Sequence, residues 1–171
     1  MKVTELKNNL KTLSKEELIK EISELFKKST FVKEHYINKF YSKSSLEILN
    51  KYKRIIKNEF LPTNGFGKAR LSVAKKAISD FSKVSNNTEF IAELMIYYVE
   101  VSVEYTNTYG DITESFYNSM EGMYDKALNL IMSEDHIDKF QKRCFKILED
   151  SEDTGWGFNE QLTEIFYNYI A

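Results

Sequence analysis

FIAELMIYYVEVSVEYTNTYGD, residues 90–111, is apolar along most of its length, yet Glu93, Tyr97, Glu100 and Glu104 recur at intervals of four, three and four. That spacing puts the four on one narrow strip of a helix and turns its other sides toward apolar neighbours. Such a helix belongs at the centre of a fold. Gly110 lacks the Cβ that would resist a helix-ending conformation, and Asp111, with Glu114 three residues on, offers a cap for the next helix. The segment therefore predicts a buried helix, a tight break at Gly110 and an antiparallel partner.

Outward from that pair the apolar spacing of three and four continues, with one proline and six glycines in 171 residues and little of the alternation that marks strands. Helices are predicted at 4–12, 15–28, 31–41, 45–60, 72–84, 88–108, 112–133, 135–149 and 159–170. Ser14 with Glu17, and Ser44 with Glu47, have the spacing of capping boxes and should open the second and fourth of these. Leu49, Tyr52, Ile56 and Phe60 line one face of the fourth, and Leu71, Ala74, Ile78 and Phe81 one face of the fifth. The fold class is all-α: a single domain over 1–171, built as a compact multi-helix bundle or an irregular stack of antiparallel helix pairs, with eight or nine helices. No fixed repeat length marks a regular solenoid.

The formal net charge of −2 conceals a polarity along the chain. Residues 1–83 hold 19 Lys and Arg against 9 Asp and Glu, whereas residues 84–171 hold 5 against 17. A basic half and an acidic half can attract each other within one chain, pair between chains as a homo-oligomer, or present a basic face to nucleic acid and an acidic face to a basic partner. No apolar run reaches signal-peptide or membrane-spanning length, and the lone Cys144 excludes an internal disulfide. A cytoplasmic protein with no membrane partner is expected.

LPTNGFGKARLS, residues 61–72, contains the only proline and the pair Gly67-Lys68. A phosphate loop of the Walker kind needs a glycine five residues before that pair and Ser or Thr directly after it; Pro62 and Ala69 occupy those places. What remains is a mobile turn running into Ser72 as the N-cap of the next helix, with Phe66 tucked into the core. A helix N-terminus beside Lys68 and Arg70 is also a reasonable place for an anion. Lys51, Lys53, Arg54 and Lys57 on the preceding helix join Lys68, Arg70, Lys75 and Lys76 in a basic face that only Glu59 opposes. The candidate anion or nucleic-acid contacts are thus Lys51, Arg54, Lys57, Lys68, Arg70, Ser72, Lys75 and Lys76. No helix-turn-helix pairing precedes Ser72.

Metal and nucleophile chemistry find little support. Glu100, Glu104, Asp111 and Glu114 offer oxygens to a hard cation, but neither His35 nor His136 follows a glutamate by three residues, as a di-iron carboxylate site requires. Cys144 stands eight residues from His136 with no third group beside them, and reads as a small core residue. No catalytic residue, metal or cofactor is assigned. In DTGWGFNEQL, residues 153–162, glycines on both sides of Trp156 free the backbone to aim the ring, and Asn159 can cap the last helix. Trp156 and Phe158 either close the end of the core or form the aromatic wall of a ligand or partner groove.

Taken in order, LKTLSKEELIKEI, NGFGKARLSVAKKAISDF, EYTNTYGDITESFYNSMEGMY and GWGF resemble, through nearly the whole chain, a bacterial family catalogued as domain of unknown function 6155. The resemblance implies a stand-alone, helical, cytoplasmic protein and supplies no activity, cofactor or site residue. The expected function is noncatalytic: binding or scaffolding of a protein partner through charged helix faces. Nucleic-acid binding around residues 51–76 is the alternative, and an enzyme or binder for a phosphorylated small ligand at the turn before Ser72, in a pocket with Lys68, Arg70 and Trp156, is a third reading.

Overall fold

A computed structural model describes residues 1–170, apart from the side chains of Ser42 and Lys43. Among the described residues the chain forms nine helices and no strand: α1 (Val3–Leu10), α2 (Lys15–Lys28), α3 (Thr30–Phe40), α4 (Ser42–Phe60), α5 (Leu71–Val84), α6 (Thr88–Tyr109), α7 (Glu114–Ser133), α8 (Ile137–Asp150) and α9 (Phe158–Ile170). Each lies within three residues of a helix expected from the apolar spacing.

The 22-residue α6, about 33 Å long, is the centre of the packing and touches α4, α5, α7 and α8. Its apolar sides explain this position, because Ala92, Leu94, Ile96, Tyr98, Val99, Val101 and Val103 each need a neighbour and each is buried. Phe60, at the end of α4, closes one part of the core with its ring edge-on to Tyr98 at 5.7 Å and Tyr105 at 5.8 Å. Gly110 ends α6 at φ 86° and ψ −178°, an extended conformation of reversed sign open to glycine alone. The antiparallel α7 that follows is tied back by the Thr106 and Tyr117 hydroxyls, 2.7 Å apart and buried. On the other side of α7, α9 inserts Phe158, Leu162 and Phe166 into the same core. The first two helices differ from the rest: neither α1 nor α2 has a buried residue, and α2 rests on α3.

Local capping follows the sequence in one case and departs from it in four. Ser14 does open α2, with Oγ accepting from the Glu17 amide and the Glu17 carboxylate accepting from the Ser14 amide at 2.7 Å. Ser44 does not open α4. The Ser44 and Ser45 amides both donate to the Tyr41 carbonyl, so the helix begins a turn earlier with Tyr41 at its cap. Ser72 is not the N-cap of α5 either; Arg70 holds that place without a side-chain cap, and Ser72 lies in the first turn. Asp111 is replaced as the cap of α7 by Thr113, because its carboxylate is engaged elsewhere, accepting from the Tyr117 hydroxyl at 2.8 Å and the Gly155 amide at 3.0 Å. Asn159 lies inside α9, where its amide donates to the Leu148 carbonyl at 2.7 Å and to Ser151 Oγ at 2.9 Å.

The turn between α4 and α5 is not loose. The Ala69 amide donates to the Glu59 carbonyl at 2.7 Å, and Arg70 grips the Glu59 carboxylate through Nε at 2.9 Å and Nη2 at 2.6 Å. Between these fastenings Gly67 lies so close to the end of α4 that an added Cβ would overlap the Phe60 carbonyl. Phe66, expected in the core, is instead 83% exposed, its ring resting edge-on against Tyr109 at 5.9 Å on a turn held at Gly67.

Replacing Gly67 by Ala should cost about 3 kcal/mol, the upper end for forced overpacking, since the obstacle is backbone rather than a movable side chain. Gly65→Ala meets no neighbour and bears only the strain of φ 78°, so it should cost about 1 kcal/mol. Urea unfolding of the two variants checks both the size and the order of the losses.

Candidate functional site

Half of the expected basic face is neutralised by partners within the chain. Lys51 donates to the buried Glu34 carboxylate and lies over the Tyr52 ring at 5.2 Å. Lys53 pairs with Glu93, Arg70 with Glu59, and Lys76 with Asp80. Arg54, Lys57, Lys68 and Lys75 are exposed and form no ion pair among the described residues. By helical geometry Arg54 and Lys57 lie across α4 from Tyr52, whose ring meets Phe81 of α5 at 5.4 Å. The free cations of α4 therefore point away from α5, which carries Lys75 and Lys76. Ser72 is exposed at the start of α5.

The polar strip of α6 is matched by a cation from each half of the chain. Arg143 of α8 donates from Nε and Nη2 to the two oxygens of Glu100, both at 2.7 Å, and from Nη1 to Glu93, which also receives Lys53 of α4. Burial raises the Glu93 carboxyl, and Lys53 and Arg143 more than reverse that rise, leaving it below its ordinary value. Glu59 is also held low, by the hydrogen bonds from Arg70 above all. The basic and acidic halves thus meet inside one chain.

The remaining chemical candidates go to separate uses. Glu100 is bound to Arg143, Asp111 to Tyr117 and Gly155, and Glu104 and Glu114 are exposed. Among the described residues no group of three or more His, Cys, Asp or Glu is placed to hold a metal ion. Cys144 is fully buried, and that burial pushes its thiol up to about 11, the opposite of what an attacking thiolate needs. His136 faces away from it toward the Thr88 hydroxyl, 3.1 Å from Nε2.

Trp156 and Phe158 separate. Phe158 is fully buried against the Tyr117 ring at 4.9 Å, whereas Trp156 is 61% exposed and stands at φ 62°, a conformation that costs a large side chain about 1–2 kcal/mol. Gly155, before it, packs on the Asp111 carboxylate where a Cβ would clash, and Gly157, after it, takes φ 66°. A second exposed ring is built the same way: Phe66 lies between Gly65, at φ 78°, and Gly67. The two rings belong to one end of the bundle. Phe66 meets the half-exposed Tyr109 ring at 5.9 Å, and Tyr109 is followed by Gly110 and then by Asp111, which holds Gly155. An open depression of about 460 Å³ adjoins Gly155, lined by Asp111, Glu149, Asp150, Glu152 and Asp153. The third sequence reading set Trp156 beside Lys68 and Arg70 around a phosphorylated ligand, but it did not pair the Trp156 ring with Phe66. The shared signal was there: four of the six glycines flank these two aromatics, in GFG and GWG.

A family model described as DUF6155, a family of unknown function, matches residues 1–170. The chain belongs to that family. The match takes in both glycine-flanked aromatics, so this DUF6155 chain carries the whole aromatic end within the region that defines the family. No curated protein and no solved structure matches the chain. Among the described residues no helix is long and apolar enough to cross a membrane.

Removing the guanidinium by Arg143→Met should cost about 2 kcal/mol at neutral pH, below the full figure for a broken buried pair because the Arg143 side chain is 31% exposed. A carboxyl held low contributes stability above its ordinary range and loses that contribution as pH falls through the lowered value. Wild-type stability should therefore drop on acidification below about pH 4.5, and the Arg143→Met protein should show a shallower drop; thermal unfolding across that range reads both. The Cys144 thiol should stay inert to a disulfide reagent at pH 8 in the folded protein and react on unfolding, as a colorimetric thiol assay would record.

Proposed function

We propose that this protein is a noncatalytic binding or scaffold protein that docks a basic protein segment on the aromatic and acidic end of its helical bundle. The observation that carries the reading is the pair of exposed rings, Phe66 and Trp156, each set between two glycines at the same end of the molecule. An exposed tryptophan in a strained backbone conformation loses stability that a purely structural turn would recover by using glycine or asparagine. Large rings of this kind are the residues that most often anchor protein interfaces, filling pockets on a partner while a polar rim fixes orientation. The rim here is acidic, with Asp111, Glu149, Asp150, Glu152 and Asp153 along the adjoining depression, so the complementary surface carries Lys or Arg. A cytoplasmic setting, suggested by the single unpaired cysteine, is part of the same proposal.

Nucleic-acid binding is the second reading, and the exposed Arg54, Lys57, Lys68 and Lys75 favour it. It has less support because Lys51, Arg70 and Lys76 are engaged with carboxylates. A phosphorylated ligand at the start of α5 has less still, since Arg70 is committed to Glu59.

Affinity purification from the native host, with and without nuclease, separates these readings. The expected result is a basic protein partner retained after nuclease and lost, by at least about tenfold, with Trp156→Ala or with Asp150→Lys combined with Asp153→Lys. Recovery of nucleic acid alone, abolished by changing the exposed Arg54, Lys57, Lys68 and Lys75 to Glu, would overturn the proposal in favour of the second reading.

A further inference from the structure

Asn64 and Gly65 form the only Asn-Gly step in the chain. They stand in the middle of the turn between α4 and α5, both exposed and neither in a helix. The fastenings of that turn lie to either side. The Leu61 amide donates to the Lys57 carbonyl and the Ala69 amide to the Glu59 carbonyl, each at 2.7 Å, and between them no backbone amide donates to a backbone carbonyl among the described residues. The Gly65 nitrogen is therefore uncommitted. Apart from its adjoining residues, nothing lies within 4 Å of the place a Gly65 Cβ would take, so the approach to that nitrogen is open.

This combination exposes an asparagine to attack by its own main chain. The side-chain amide carbon and the next backbone nitrogen close a five-membered ring when they meet, and a nucleophile so placed has the advantage of an intramolecular reaction. A Cβ on the following residue obstructs the approach, and glycine has none. Other asparagines lack one condition or another. Asn86 is also exposed, but its attacking nitrogen would be that of Asn87, which carries a side chain and donates to Ser85 Oγ at 3.2 Å. Asn118 precedes the small Ser119 yet lies inside α7, where the helix engages the backbone nitrogen.

We propose that Asn64 is a site of spontaneous covalent modification, converted by water to aspartate and isoaspartate through attack of the Gly65 nitrogen. As that nitrogen loses its proton to solvent and bonds to Asn64 Cγ, the bond from Cγ to the side-chain nitrogen breaks, and ammonia leaves after taking a proton from solvent. The product is a cyclic imide. Water opens the ring at either carbonyl. Breaking the bond from Cγ to the Gly65 nitrogen leaves ordinary aspartate; breaking the bond from the Asn64 main-chain carbonyl carbon to that nitrogen leaves isoaspartate, with the chain running through the side chain. One water is consumed and one ammonia released, and nothing is oxidised or reduced.

Both products add a negative charge close to the exposed Lys68, and isoaspartate also lengthens the main chain by one carbon. Gly67 is held against the Phe60 carbonyl, so the added length is taken up before it, and Phe66 is displaced from the Tyr109 ring. The chemistry at Asn64 is independent of the proposed partner docking. Its bearing on that site rests on that reading, in which Phe66 is one of two anchors and the modification acts as a timer on it.

Ageing the full chain in parallel, folded in buffer and unfolded in guanidinium chloride, tests the proposal by mass spectrometry of the tryptic peptide Asn58–Lys68. The folded chain should convert Asn64 within about tenfold of the unfolded rate, with fragment ions placing the change at Asn64 and two products of equal mass separating on chromatography. Asn86 and Asn118 should stay intact in the folded chain. Gly65→Ala should slow the conversion at least about tenfold in both states, through the added Cβ. Folded protein that keeps Asn64 intact while the unfolded chain is converted overturns the proposal, as does a Gly65→Ala chain that converts as fast as wild type. The isoaspartyl protein, separated by chromatography, should show shifted Tyr109 ring resonances in a proton NMR spectrum; unshifted ones overturn the displacement of Phe66. Neither readout needs a partner, so failure here is distinct from failure of the docking reading.

Discussion

Glu93 is the point on which the arrangement turns. A helix as apolar as α6 has little to fix its rotation, since many orientations bury similar area. Its carboxylates remove that freedom. Glu93 and Glu100 must each be met by a cation as they leave water, and the cations come from opposite directions: Lys53 from α4 and Arg143 from α8. One rotation of α6 satisfies both, and that rotation sends Tyr98 toward Phe60 and Thr106 toward Tyr117. Of these pairs, Lys53–Glu93 joins the basic half of the sequence to the acidic one, while Arg143 ties α6 to α8 within the acidic half.

The same economy recurs where α4 ends. Arg70 and Glu59 would each be a plausible surface charge, yet together they clamp a turn that also bears a crowded glycine and an exposed ring. Rigidity at that turn is what lets Phe66 stand in solvent at a fixed place. Trp156 reaches the same condition by other means, through Asp111, whose carboxylate holds the Gly155 amide on one side and the Tyr117 hydroxyl on the other. Binding surfaces gain affinity when their anchors are ordered before the partner arrives, because less freedom is lost on association. Two rings displayed on fastened loops have that property.

The fold was legible because helical periodicity is a property of neighbours in sequence. Nine helices among the described residues, the central place of residues 90–109 and the break at Gly110 all follow from spacings of three and four and from one glycine. The caps were less legible. Asp111 and Asn159 have the chemistry of a cap, but their side chains serve partners 44 and 11 residues away, and such competition is invisible in a local reading. Burial of aromatics failed for a related reason: hydrophobicity assigned Phe66 inward, whereas its turn is fixed by contacts with the end of α4 that local sequence does not display. At the candidate site, Trp156 could be singled out from its glycines, but its company with Phe66 and Tyr109 exists only once α6 has brought two distant loops to one end.

Trp156 is the only tryptophan in the chain, and it stands mostly in water while the protein is folded. Its fluorescence is therefore a poor witness to folding, since the ring moves from solvent to solvent when the bundle opens. It is a good witness to occupancy. Anything seated over that end of the molecule takes the indole out of water, and the emission moves to shorter wavelength without a label or a substitution.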